Sequence, residues 1–405
     1  MSPLPLLPVT TVGSWPRPPE LLRAQRLKHT GRLSVEAFER QADVAVLEVL
    51  RLQEQAGVDI VTDGEQRRDN FYSFVAEKLA GVQFMTLLEM LDIVEDKASF
   101  ERVLQTLDVP AYSIRNPTCV GRIERRQPLA VDELRFLKRH TDKPIKIPLP
   151  GPYILTRAMF VPEVTHQVYP TKEDLAKDVV RILRDEIAEL VAEGVDFIQL
   201  DEPVLTELVF TQAQTRTFMC AALATRKDPA EELAFAVSLI NRVLESVEGV
   251  RTGLHICRGN WSQNEATLLR GSYHPLAPYL ERIHVQQLVL EYATERAGTL
   301  LAFAGKELGL GVVNPRTESI ESPETIKAAI AQALQLYPAD RLFLNPDCGF
   351  STFSNRPVNS AEIACDKLRA IVDAAQAWRA RGGEAIERPP PREYNPCEEG
   401  YVAPA

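Results

Sequence analysis

Several things are scarce or missing in this 405-residue chain, and each absence excludes a class of protein. No apolar run reaches the roughly 18 residues needed to span a bilayer, so no transmembrane helix is expected. The first residues have no basic segment and are broken by Pro3, Pro5 and Pro8. They do not read as a secretory signal, and a cytoplasmic location is expected. Cysteine is sparse: six residues, at 119, 220, 257, 348, 365 and 397, lie too far apart for a disulfide scaffold and suit a reducing compartment. Positive charge is in deficit. Against 56 acidic residues stand 46 Lys and Arg, a net charge of −10, which argues against nucleic acid as the main partner. No G-x-G-x-x-G follows the first strand-like segment, which removes the usual support for a dinucleotide-binding fold.

What is present is a rhythm. Strand-like apolar segments at 9–12, 58–62, 144–149, 197–200, 250–254, 285–290, 310–313 and 341–344 alternate with helical patterns, the clearest at 32–56, 172–193 and 360–381. Eight strands, most followed by a helix, point to an α/β fold of the (β/α)8 barrel type, with a doubly wound open sheet as the competitor. Residues 1–387 are expected to form one barrel domain. Residues 71–142 are long for a single connection and read as an insertion, with helices near 97–107 and 131–140 and an extended piece at 118–124. The tail from 388 to 405 is proline-rich.

The polar residues directly after these strands are chemically selective. They are Ser14, Glu65, Asp201, His255 with Cys257, Glu291 and Cys348. In a (β/α)8 barrel, such positions meet at one mouth. His255 and Cys257 stand at i and i+2 beyond an apolar strand, so they point to the same side. Taken alone, an H-x-C pair is more often a buried thiol beside a satisfied histidine. With Glu291 and Cys348 on the same mouth, the four become a ligand set of the right number and type for tetrahedral zinc. Asp201 and Glu291 stand closest to the expected chemistry. His274 and His284 are reserve ligands. His29, His140 and His166, and the thiols of Cys119, Cys220, Cys365 and Cys397, read as structural.

Five motifs taken together resemble the catalytic C-terminal domain of cobalamin-independent methionine synthase. They are Thr10-Thr11-Val12-Gly13-Ser14-Trp15-Pro16, Asp63-Gly64-Glu65, Ile198-Gln199-Leu200-Asp201-Glu202-Pro203, His255-Ile256-Cys257 and Asn345-Pro346-Asp347-Cys348-Gly349. The resemblance runs from about residue 9 to 375. It implies the barrel of that family and of uroporphyrinogen decarboxylase, a Zn²⁺ ion on His255, Cys257, Glu291 and Cys348, and a site for homocysteine. Ser14, Glu65 and Asp201, with backbone near Val12, would bind the amino and carboxylate groups. The implied activity is zinc-dependent methyl transfer to homocysteine, giving methionine. The chain departs from the full-length enzyme in two ways. One barrel is expected where that enzyme has two, and the stretch after strand seven, Val312-Val313-Asn314-Pro315-Arg316-Thr317-Glu318, lacks the histidine that protonates the departing folate. The donor is therefore either methyltetrahydrofolate or methylcobalamin, the latter free or on a corrinoid carrier protein; a homodimer is compatible with the reading.

Three rival functions share parts of this pattern. An epoxyalkane:coenzyme M transferase-like enzyme would use the same zinc–thiol chemistry but needs cations for a sulfonate, which Arg17, Arg67 or Arg258 could supply. A uroporphyrinogen-decarboxylase-like enzyme needs no zinc and leaves the cysteines without a purpose. A non-catalytic zinc- or corrinoid-binding partner protein would accept methyl groups from another subunit.

Overall fold

The computed structural model describes residues 4–93, 115–210, 228–265 and 268–380. Leu79–Thr86 (β1) and Arg115–Arg125 (β2) form an antiparallel hairpin. Lys146–Pro150 (β3), Phe197–Asp201 (β4), Arg251–Ile256 (β5), Gln287–Leu290 (β6), Glu307–Val313 (β7) and Leu342–Pro346 (β8) form one parallel sheet in chain order.

The two remaining barrel positions are held by isolated bridges, two residues at each. Val9 pairs with Leu344 of β8, Thr10 with Ile60, and Val61 with Ile145 beside β3. Backbone bonds from Thr10 N to Leu344 O, from Ile60 N to Val9 O and from Lys146 N to Val61 O complete the circuit. The sheet thereby closes on itself as a (β/α)8 barrel, and the open-sheet alternative is set aside. The expected strands at 9–12 and 58–62 shrink to one or two paired residues. Both segments turn early into the loops that carry Ser14 and Glu65, so little length is left for pairing.

The outer helices follow from local chemistry. Val35–Ala56 starts three residues later than its periodicity suggests, because Ser34 is its N-cap and accepts from Ala37 N. Its end is a left-handed Gly57. Lys172–Ala192 is capped by Thr171 and buries Leu175, Val179, Ile182, Leu183, Ile187 and Leu190 against the barrel. The helix expected at 131–140 spans Val131–Lys138. The expected insertion contains the β1–β2 hairpin, and the extended piece at 118–124 lies inside β2. The helix near 97–107, Cys220, Cys397 and the 388–405 tail lie outside the described residues. Among the described residues no helix is long and apolar enough to cross a membrane.

Candidate metal and substrate site at the barrel mouth

Parallel register sets the site. Asp201, the last residue of β4, lies level with His255 on β5, and His255 lies level with Val289 on β6. The ligand atoms of His255, Cys257 and Cys348 lie within 4.8 Å of one another, and all three residues are buried. The His255 ring places Nδ1 3.2 Å from Val289 O. A proton on Nδ1 satisfies that carbonyl and leaves Nε2 as a lone-pair donor. Nε2 is buried with no nitrogen or oxygen partner and is left to the Cys257 thiol, with which the ring interacts.

The two thiols behave as a pair sharing one charge. A hydrogen bond from Cys348 pulls the Cys257 thiol down to about 6, with His255 acting in the same direction and burial opposing. The same hydrogen bond pushes Cys348 well above the ordinary thiol range. One imidazole and two sulfurs, one already thiolate-like, suit zinc. Three protein donors with a position to spare are the pattern of a catalytic site.

Glu291 does not join this group. Its carboxylate accepts from Arg258 N at 3.0 Å, from Asn260 Nδ2, from Arg296 Nη2 at 3.2 Å and from Arg258 Nη1 at 3.5 Å. Burial raises its pKa, but Arg296 and Arg258 outweigh this and hold it below the usual carboxylate range. The expected fourth ligand is thus engaged by two guanidiniums and an amide. The reserve ligands are also elsewhere: His274 Nδ1 lies 2.7 Å from Ser272 Oγ, and neither it nor His284 belongs to the cluster. His140 and His166 each turn Nδ1 to a backbone carbonyl four residues away, and His29 sits against Arg115. Cys119 and Cys365 are buried thiols raised by desolvation.

In the same cleft as the sulfurs, the mouth carries carboxylates. A cleft enclosing about 430 Å³ of space open to solvent is lined by Val12, Ser14, Glu65, Asp201 and the three donors, with Phe71 and Trp261 among its walls. Burial pushes Asp201 up to about 7 and raises Glu65. Glu65 Oε2 is buried and unpartnered, and Glu65 has a left-handed backbone, φ 55°. Gly13 lets Glu65 approach: a β-carbon there would overlap Glu65 Oε1. Gly349 does the same for Ser14, whose Oγ would meet the added carbon. Every sequence-predicted site residue except Glu291 therefore faces the same cleft. Residues not singled out from the sequence as functional are Lys146 and Gln199 beneath Asp201, and Arg296 behind Glu291.

Comparison with known proteins agrees with this geometry. Residues 7–377 match the family described as cobalamin-independent synthase, catalytic domain. Methionine synthase of Thermococcus kodakarensis is 32% identical over 380 residues, covering 93% of this chain and 94% of that protein. Methionine synthase of Saccharolobus solfataricus is 33% identical over 387 residues, covering 94% and 97%. The solved structure of a B12-independent methionine synthase from Shewanella sp. W3-18-1, in complex with selenomethionine, superposes with a TM-score of 0.70 at 25% identity, covering 93% of this chain and 99% of that one. A barrel closed on eight positions, a His–Cys–Cys cluster at its mouth and a family match over nearly its whole length lead to one conclusion: this chain belongs to the cobalamin-independent methionine synthase family.

Proposed function

We propose that the chain is a zinc-dependent methyltransferase that methylates the thiol of homocysteine to give methionine. The observation that carries this is the division of one mouth into a sulfur half, His255, Cys257 and Cys348, and a carboxylate half, Asp201 and Glu65. A zinc ion held by those three donors would lower the pKa of a substrate thiol from about 8.5, so that thiolate is available at neutral pH.

The remaining work falls to the chain. Asp201 and Glu65 offer two carboxylates to an α-ammonium, a charge-assisted pairing. Burial raises the pKa of both carboxyls, and a substrate ammonium beside them would favour their charged forms. Ser14 Oγ and the backbone near Val12 orient the amino-acid end. In the transfer, the thiol proton leaves to solvent and a sulfur lone pair forms the S–CH₃ bond as the bond from methyl to the donor breaks; the donor keeps that bond's electron pair, as a cob(I) corrinoid or, for methyltetrahydrofolate, with a proton from solvent on its nitrogen. With Glu291 engaged by Arg258, Asn260 and Arg296, we take the protein ligand set as three.

The three arginines that could serve a sulfonate are engaged elsewhere. Arg17 directs both terminal nitrogens to backbone carbonyls of Trp15, Ser351, Glu65 and Arg68. Arg67 pairs with Glu39 and Asp43 on the Val35–Ala56 helix. Arg258 donates to Gly271 O and Ala297 O and pairs with Glu291. For the donor, methyltetrahydrofolate and a methylated corrinoid remain the two classes, and the test includes both. Zinc is measured in wild type and Cys348→Ser, and labelled methyl transfer from each donor is followed to homocysteine and to coenzyme M. Zinc near one equivalent in wild type, its loss in the variant and label in methionine are expected. Unchanged zinc in the variant, or transfer to neither thiol from any donor, overturns the proposal.

A further inference from the structure

The barrel interior beneath Asp201 is polar where apolar layers are the rule. Lys146 on β3 and Gln199 on β4 are both fully buried. Gln199 and Asp201 are two residues apart on one strand, so both face the interior. Polar groups buried this deeply are destabilising unless their hydrogen bonds are made.

Their bonds form one directed chain. Lys146 Nζ donates to Thr11 O and, at 3.2 Å, to Gln199 Oε1. Gln199 Nε2 then donates to Val12 O at 3.0 Å and to Asp201 Oδ1 at 2.8 Å. The amide can face only one way. Flipped, its oxygen would oppose the Asp201 carboxylate and the Val12 carbonyl, and its NH₂ would oppose the amine of Lys146. Gln199 is also a spacer. A lysine in direct contact with Asp201 would neutralise it as an ion pair, whereas the interposed amide holds one carboxylate oxygen and leaves the negative charge for an incoming cation.

We propose that Gln199 is a positioning residue for the amino-acid end of the substrate: its amide, anchored by Lys146, fixes the Asp201 carboxylate and the Val12 carbonyl relative to each other. This rests on the reading that Asp201 meets the substrate ammonium. A carboxylate free to rotate out of place gives up the preorganisation on which such a pairing depends.

The test is a double-mutant cycle of wild type, Gln199→Met, Asp201→Ala and the double variant, all zinc-loaded. Homocysteine binding is measured by calorimetry, with KM and kcat alongside. Losing one charge-assisted bond weakens binding about tenfold. That loss is expected in KM rather than kcat, with zinc stoichiometry unchanged. In the Asp201→Ala background, Gln199→Met is expected to cost less than about threefold, because the residue it positions is gone. Equal losses in both backgrounds, or none in either, overturn the proposal. Gln199→Glu separates positioning from packing: it keeps an acceptor for Lys146 and loses the donor to Asp201. It is expected to bind homocysteine as poorly as Gln199→Met, and wild-type affinity would refute the positioning role. A crystal structure of Gln199→Met decides independently of substrate. The Asp201 carboxylate is expected to leave its wild-type position, and finding it unmoved overturns the proposal. If Asp201→Ala binds homocysteine normally, the ammonium reading fails, while the crystal structure still answers whether Gln199 sets Asp201.

Discussion

Glu291→Gln tests whether this carboxylate belongs to the arginine cradle or to the metal. Glu291 is fully buried, and so is Arg258; the Arg296 side chain is 2% exposed. Glutamine keeps an oxygen for Arg258 N and Asn260 but turns an NH₂ toward the two guanidiniums. Removing one partner of a buried ion pair costs about 3–5 kcal/mol. Asp347, whose charge also interacts with both arginines, offsets part of this, so about 3 kcal/mol is expected. At about 2 cal/mol/K per residue, a chain of this length has an unfolding entropy of about 0.8 kcal/mol/K. The Tm of zinc-free protein should therefore fall by about 4 °C. The assay is calorimetric melting of chelator-dialysed wild type and variant at neutral pH, followed by zinc titration of both. Zinc stoichiometry should not change. A zinc-free Tm within about 1 °C of wild type, together with lost zinc, would show that Glu291 is a ligand and that the cradle contributes nothing.

Two further outcomes follow from the same geometry. Gly13→Ala places a β-carbon on Glu65 Oε1, so homocysteine binding should weaken by about tenfold or more through the lost carboxylate, with zinc content intact; equilibrium dialysis with labelled homocysteine checks this. Burial lowers the Lys146 amine to about 7, against the pull of Asp201 and Glu65. Between about pH 7 and the ordinary lysine value, the unfolded chain binds this proton and the folded chain does not, so the Lys146 contribution to stability rises with pH across that window. Urea unfolding at neutral and alkaline pH should show this rise in wild type and a flatter dependence in Lys146→Met; identical slopes would refute the assignment.

The barrel was legible because its strands announce themselves as apolar runs punctuated by glycine, proline or a ligand-type residue. His255, Cys257, Asp201 and Cys348 stand out because each lies within four residues of such a run, and the structure brings all four to one cleft. Where reading failed, a second influence was at work. The Pro19–His29 helix was hidden behind a proline cluster that reads as a turn, although proline at the first helical position is compatible with a helix. Strand β1 was missed because Ala80 and Gly81 interrupt it. Gly81 takes a left-handed φ of 72° beside a register shift against β2, where any β-carbon would overlap Arg122 O. Glu291 has the type and position of a ligand, and nothing local in the sequence reveals its hydrogen bonds to Arg258, Asn260 and Arg296. Those bonds exist only once β5 and β6 pair and bring Arg258 N within 3.0 Å of its carboxylate.

The same point bears on substrate choice. Charges on a barrel mouth cannot be judged by type alone, because each can be spent on the scaffold. The arginines nearest this mouth are spent on backbone carbonyls and on Glu291. Asp201 and Glu65 are committed only in part: Asp201 accepts from Gln199 through Oδ1, and Glu65 Oε2 has no hydrogen-bond partner. Under the proposed function, buried carboxylates and a zinc-binding cluster in one cleft would favour a molecule that is cationic at one end and a thiol at the other. Homocysteine meets that description, and a thiol carrying only a sulfonate does not.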